Sequence, residues 1–165
     1  MTIDYSWAPP GYDTTTERRF FFTVLPVSAL WSLIYFDHFR NAEASLYEWI
    51  GETKVLKAGA SMPDFYTLLE YVFVGFAILA VGMLALMVAR YNYHHRGSKA
   101  VYLMKRLPNR YELHRRCLVQ PLLAIGAGVI LAAILLLLYY RHYLTATPAE
   151  ALTPHQWQKI WGIGR

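Results

Sequence analysis

Histidine is the side chain of this sequence best suited to ligation, because a neutral imidazole binds metal ions and haem iron. His94, His95 and His114 share one basic segment, and His38 and His142 stand near two other apolar stretches. Haem-binding membrane subunits hold their cofactor between histidines placed inside helices. These five lie at or beyond the ends of the apolar runs, beside arginines, and read as interfacial residues. The one cysteine, Cys117, cannot form an internal disulfide and reads as a small packing residue. A phosphate-binding glycine loop, a nucleophile motif, zinc-ligand spacing and a dinucleotide fingerprint are all missing. The chain is therefore not expected to be an enzyme or to carry a cofactor.

What would position such residues is membrane helix. The composition is 56% hydrophobic and only 16% charged, against about 25% charged in ordinary soluble domains. All 16 Lys and Arg, all 11 Asp and Glu and all 6 His fall outside three runs, 20–36, 71–89 and 117–140. A helix rising ~1.5 Å per residue needs roughly 17–25 apolar residues to cross a hydrocarbon core of about 30 Å. The fold class expected is all-α, an integral membrane protein with three spans. As a single membrane domain, the chain divides into an N-terminal segment 1–19, span 20–36, loop 37–65, span 66–89, basic loop 90–117, span 118–140 and an amphipathic tail 141–165. Pro26 is expected to kink the first span. The second is extended upstream because Ser61 and Asp64 have capping-box spacing. None of the runs holds an ionisable residue at mid-membrane, which argues against a pump or ion-coupled transporter acting alone.

Charge sets the expected orientation. Between the second and third spans stand Arg90, Arg96, Lys99, Lys105, Arg106, Arg110, Arg115 and Arg116, opposed by Glu112 alone. Short loops rich in Lys and Arg stay in the cytoplasm, so this loop and the N-terminus are placed inside, and loop 37–65 and the tail outside. Arg18 and Arg19 before Phe20 partly resemble a twin-arginine export signal, but read better as the basic end of a retained helix. The net charge of +5 thus reports membrane topology, and no nucleic-acid partner is expected.

Small residues mark packing faces. Gly75, Gly82 and Ala89 recur every seven residues with Ala85 between the last two, and Ala124, Gly128 and Ala132 follow at four-residue spacing, a pattern that admits a second helix closely. In the basic loop Ser98 can cap a short helix with Ala100, Leu103, Met104 and Leu107 on one face, and Pro108 stops it. Asn109 can cap a second helix that runs into the third span. In loop 37–65, Asn41 is expected to cap a helix through Ile50. In the tail, Thr147-Pro148 and Thr153-Pro154 are proline-led helix starts, the second leading to an apolar face of Trp157, Ile160 and Trp161.

The loop sequence YHHRGSKAVYLMKRLPNRYELHRRC at 93–117, and TPHQWQK at 153–159, resemble small, uncharacterised bacterial integral membrane proteins encoded beside ABC-type transporter ATPases. The resemblance implies an accessory subunit of the bacterial inner membrane. Its partners would be the lipid bilayer and an ATPase or permease subunit, which the loop would dock through Tyr102, Leu103, Met104, Arg106 and Leu107. Two alternatives remain: a membrane anchor or cytochrome-like subunit of a redox complex, and a stand-alone structural protein whose loop binds lipid only.

Overall fold

The computed structural model describes residues 14–57, 59–96 and 111–152. Three of its helical stretches are long and apolar enough to cross a membrane: Thr15–Leu46, Val74–Asn92 and Cys117–Ala146. The first comprises two helices, α1 (Thr15–Trp31) and α2 (Ile34–Leu46), with a turn at Ser32 and Leu33 between them. The second lies in α4 (Val74–Arg96) and the third in α5 (Tyr111–Ala146), with a one-turn α3 (Phe65–Leu68) ahead of α4. The first and third helical stretches outrun their charge-free runs at both ends, whereas α4 begins inside its run, at Val74, and outruns it only at the C-terminal end. Glu17 and Arg90, outside those runs in sequence, lie inside helical spans.

Helix α1 contains Pro26 and ends at Trp31, before a turn at Ser32 and Leu33. Other local expectations are corrected. Asn41 caps nothing, since it lies inside α2. The residues after α2 form a β-hairpin within a fold that is mostly helical. Strand β1 (Tyr47–Ile50) pairs antiparallel with β2 (Thr53–Leu56) in the register Tyr47 to Leu56 and Ile50 to Thr53. Gly51, at φ +66°, opens its two-residue turn, the position where glycine relieves the Cβ clash of a primed hairpin turn. The β-branched and aromatic content of Tyr47, Trp49, Ile50, Thr53 and Val55 suits a strand better than a helix. The second span, expected at 66–89, has its long helix begin only at Val74. Asp64 occupies the N-cap position of α3, and residues 69–73 form a turn before α4. Tyr71 in that turn has φ +61°, a region unfavourable to a bulky side chain, and its carbonyl accepts a hydrogen bond from Trp31 Nε1 at 3.1 Å.

Two compact units are present. The first comprises Met1–Ser28 and Gly75–Leu131. In it α1 meets α4 where Gly75 lies against Ser28 and Gly82 against Phe20, while α5 meets α4 where Gly128 lies against Leu79. The opposed residue numbers of the two α1–α4 pairs make those helices antiparallel, and α5 runs antiparallel to α4 because Gly128 meets Leu79 while Gln120 meets Arg90.

The second unit comprises Ala29–Val74 and Ala132–Arg165. Its core is aromatic: Tyr35, Phe39, Phe65, Tyr139 and Tyr143 are buried with Leu46, Met62, Leu68 and Val72. Tyr35 and Tyr139 stack with centroids 4.5 Å apart. The phenolic groups are satisfied internally, as burial demands. Tyr35 donates to the Tyr139 carbonyl at 3.1 Å, Ser32 Oγ and Tyr139 Oη share a bond of 2.7 Å, and Tyr143 donates to the Pro63 carbonyl at 3.0 Å.

Along the helices the usual distribution is inverted. On α4, Val74, Ile78, Val81, Leu84, Val88 and Tyr91 are exposed and fall on one face at three- and four-residue spacing. On α5, Leu122, Leu123, Val129, Ile130, Ile134, Leu137 and Leu138 are likewise exposed, whereas Glu17, Ser28, Ser32 and Arg90 are buried. Apolar faces of this extent would be driven together in water, and a hydrocarbon solvent accommodates them.

Candidate functional site

The strongest concentration of chemistry among the described residues is a buried polar cluster in the first unit. Glu17 stands in the first turn of α1, where a helix N-terminus favours a carboxylate. Arg90 lies near the end of the apolar stretch of α4, and Gln120 about three turns into α5. The Arg90 guanidinium grips the Glu17 carboxylate with two donors: Nε donates to Oε1 at 3.1 Å, and Nη2 to Oε2. Nη2 also donates to Gln120 Oε1 at 3.2 Å. Glu17 is 1% and Arg90 0% exposed, so the pair is removed from solvent screening. A fork-on-carboxylate geometry satisfies both charges at once and fixes their mutual orientation. The cluster ties α1, α4 and α5 together at a defined register.

Beside the cluster a cleft of about 350 Å³ opens, with a mainly apolar lining that includes Phe21, Phe22, Met83 and Leu123. Glu17, Arg18 and Gln120 stand along it. Arg18 is exposed, in contrast to the buried Arg90.

The small residues named from spacing take different places. Gly75 and Gly82 of α4 face α1, where a Cβ on Gly75 would come within 2.9 Å of the Ser28 backbone and one on Gly82 within 2.2 Å of the Phe20 ring. Gly128 of α5 faces Leu79 of α4, so the glycine faces of α4 and α5 do not meet each other. Ala85 is exposed, Ala124 lines the cleft, and Ala132, half-buried, belongs to the second unit. Tyr102, Leu103, Met104, Arg106 and Leu107 lie outside the described residues, as does the 153–159 motif.

Among the described residues no group of three or more His, Cys, Asp or Glu is disposed to hold a metal ion. His142 is packed edge-on against Tyr35, Phe36 and Phe39, and its Nδ1 is 3.4 Å from Tyr35 Oη. His38 donates through Nδ1 to the Leu68 carbonyl at 3.1 Å. Cys117 is buried.

Sequence reasoning counted Glu17 with the polar N-terminal segment and Arg90 with the basic loop, and so missed their pairing across 73 residues. A signal was present. The two residues have opposite charge and flank facing ends of successive antiparallel spans, and Gln120 is the sole Asn or Gln within the three charge-free runs.

Comparison of the chain with protein-family models, curated proteins and solved structures yields no match.

Proposed function

We propose that this chain is a multi-pass protein of the bacterial inner membrane and a small subunit of an ABC-type transporter assembly, with its basic segment facing the cytoplasm. The inverted distribution, apolar side chains outside and a paired charge inside, supports residence in a bilayer. The observation that carries the subunit reading is the segment itself. Seven of its eight basic residues at 90–116 follow Arg90 in the chain, and Arg90 itself is paired with Glu17. Helix α4 continues past its apolar stretch to Arg96, and α5 begins at Tyr111, upstream of its own. The intervening residues are thereby carried between two helices held in register by the Glu17–Arg90–Gln120 cluster. Tyr102, Leu103, Met104, Arg106 and Leu107 would form the docking ridge, with the apolar members entering a groove on an ATPase or permease and Arg106 meeting its acidic rim. The resemblance at 93–117 supports the same assignment.

The test is purification of the tagged full chain, expressed at its native level in its own bacterium and extracted in mild detergent, followed by native mass measurement. A stoichiometric ATPase or permease subunit is expected, and it should be lost from a Leu103→Glu, Leu107→Glu variant that still reaches the membrane. Recovery of the wild-type chain alone, or retention of the partner by the variant, refutes the docking role.

A further inference from the structure

The cleft beside the buried ion pair has both apolar and polar lining residues. One part is apolar, lined by Phe21, Phe22, Met83, Leu123 and Ala124; the other is polar, with Glu17, Arg18 and Gln120. The charges there are unequal in availability. Glu17 has its carboxylate engaged by Arg90, whereas Arg18 is exposed and has no ion-pair partner among the described residues. The polar part of the cleft therefore presents a net positive charge. Gln120 gives its Oε1 to Arg90, and its amide nitrogen is not engaged by that bond. A ligand meeting these walls must carry a flexible apolar portion and an anionic oxygen cluster close to one end of it.

We infer that this cleft binds an anionic phospholipid, with part of one acyl chain against Phe21, Phe22 and Leu123 and the phosphate at Arg18, assisted by the Gln120 amide. The size suits this occupant. At about 350 Å³ the cleft is near the lower end of small-ligand sites, roughly 300–1,000 Å³, enough for a section of acyl chain with the remainder in bulk lipid. The position suits it as well. Arg18 stands at the start of a membrane-length helix, the level at which basic side chains reach phosphate headgroups. The bidentate Glu17–Arg90 pair makes the site selective, because a free carboxylate there would repel the phosphate. This inference needs only that the helices lie in a bilayer. It stands or falls independently of any ATPase or permease partner.

The experiment is native mass spectrometry of the full chain, delipidated in detergent and titrated with phosphatidylglycerol or with phosphatidylcholine of the same acyl chains. One phosphatidylglycerol is expected to bind more tightly than phosphatidylcholine, by about fivefold, the scale of one basic side chain acting on an anionic lipid. Arg18→Gln should abolish that preference while leaving weak binding of both lipids. Ala124→Trp, which fills the apolar part, should remove both adducts. Arg19→Gln is the control, since Arg19 does not line the cleft: it should retain the preference. Circular dichroism establishes that each variant is folded, and Ala124→Phe replaces Ala124→Trp if the latter is not. Equal retention of the two lipids by the wild-type chain overturns the proposal. So does an equal loss in Arg19→Gln and Arg18→Gln, which would make the effect one of bulk positive charge.

Discussion

The buried pair of Glu17 and Arg90 supplies the sharpest test of how the helices are held. Consider Arg90→Met, Glu17→Met and the double variant. With the charge centres about 4 Å apart and an effective dielectric constant of about 20, the attraction is about 4 kcal/mol. Both side chains are removed from solvent, so salt does not screen this term appreciably. Removing one partner leaves the other charge buried and uncompensated, a loss of about 3–5 kcal/mol. Replacing both removes the desolvation penalty together with the attraction, and such exchanges are often neutral or stabilising by about 1–4 kcal/mol. Gln120 then loses one hydrogen bond from Arg90, which costs about 1 kcal/mol. The expected order is therefore that each single variant unfolds far more readily than wild type, and the double variant lies close to wild type. The assay is reversible unfolding of the full chain in mixed micelles of mild detergent and dodecyl sulfate, followed by far-ultraviolet circular dichroism. A double variant whose loss equals the sum of the two single losses within about 0.5 kcal/mol, the range of independent sites, would refute the pairing as a clamp.

The glycines should respond to alanine in a fixed order in the same unfolding assay. Gly75→Ala should be the most destabilising, by about 1–3 kcal/mol, because the new methyl group meets the Ser28 backbone; Gly128→Ala should cost less, since only the movable end of Leu79 is in the way, and Gly126→Ala, with open space around it, should be neutral or stabilising by up to about 1 kcal/mol. An equal response at all three positions would contradict these contacts. In the second unit, Tyr139→Phe removes the bond to Ser32, whose hydroxyl keeps the Ala29 carbonyl at 2.7 Å, so a loss of about 1 kcal/mol is expected. Tyr35→Ala empties a fully buried position of the ring cluster and should cost about 3–5 kcal/mol; thermal denaturation monitored by tryptophan fluorescence ranks the two, and a larger loss in Tyr139→Phe would undo this account of the core.

The difference between what could be read along the chain and what could not is visible at particular residues. The apolar helices were legible because a run without charge needs no knowledge of its neighbours, and their alternating direction was expected from reading them as successive membrane spans. Gly75, Gly82 and Gly128 were legible as small residues at helical spacing, but not the surfaces they meet: Ser28, Phe20 and Leu79 are picked out only by the relative rotation of three helices. The hairpin at Tyr47–Leu56 was misread because Leu46, Trp49 and Ile50 also satisfy a helical spacing. In so short a segment the two periods cannot be told apart, and the glycine at Gly51 decides between them. The upstream start of the second span failed similarly, since the capping spacing at Ser61 and Asp64 says where a helix can begin but not that it will turn again within five residues.

By itself the sequence determined which segments are apolar enough to cross a membrane and which are charged. Hydrophobicity and charge add up residue by residue, so three apolar helices and one strongly basic connection follow from composition and length alone. Only the tertiary structure decided the partners. Arg90, read along the chain as one more loop charge, became a buried ligand of Glu17 because α1 and α4 run antiparallel with those two positions at the same level. The energy of a buried charge depends on what stands within a few ångströms of it, and that is a property of packing across 73 residues. The same holds for Tyr35 and Tyr139, 104 residues apart, and for the cleft beside Arg18, whose walls come from three helices that no local pattern brings together.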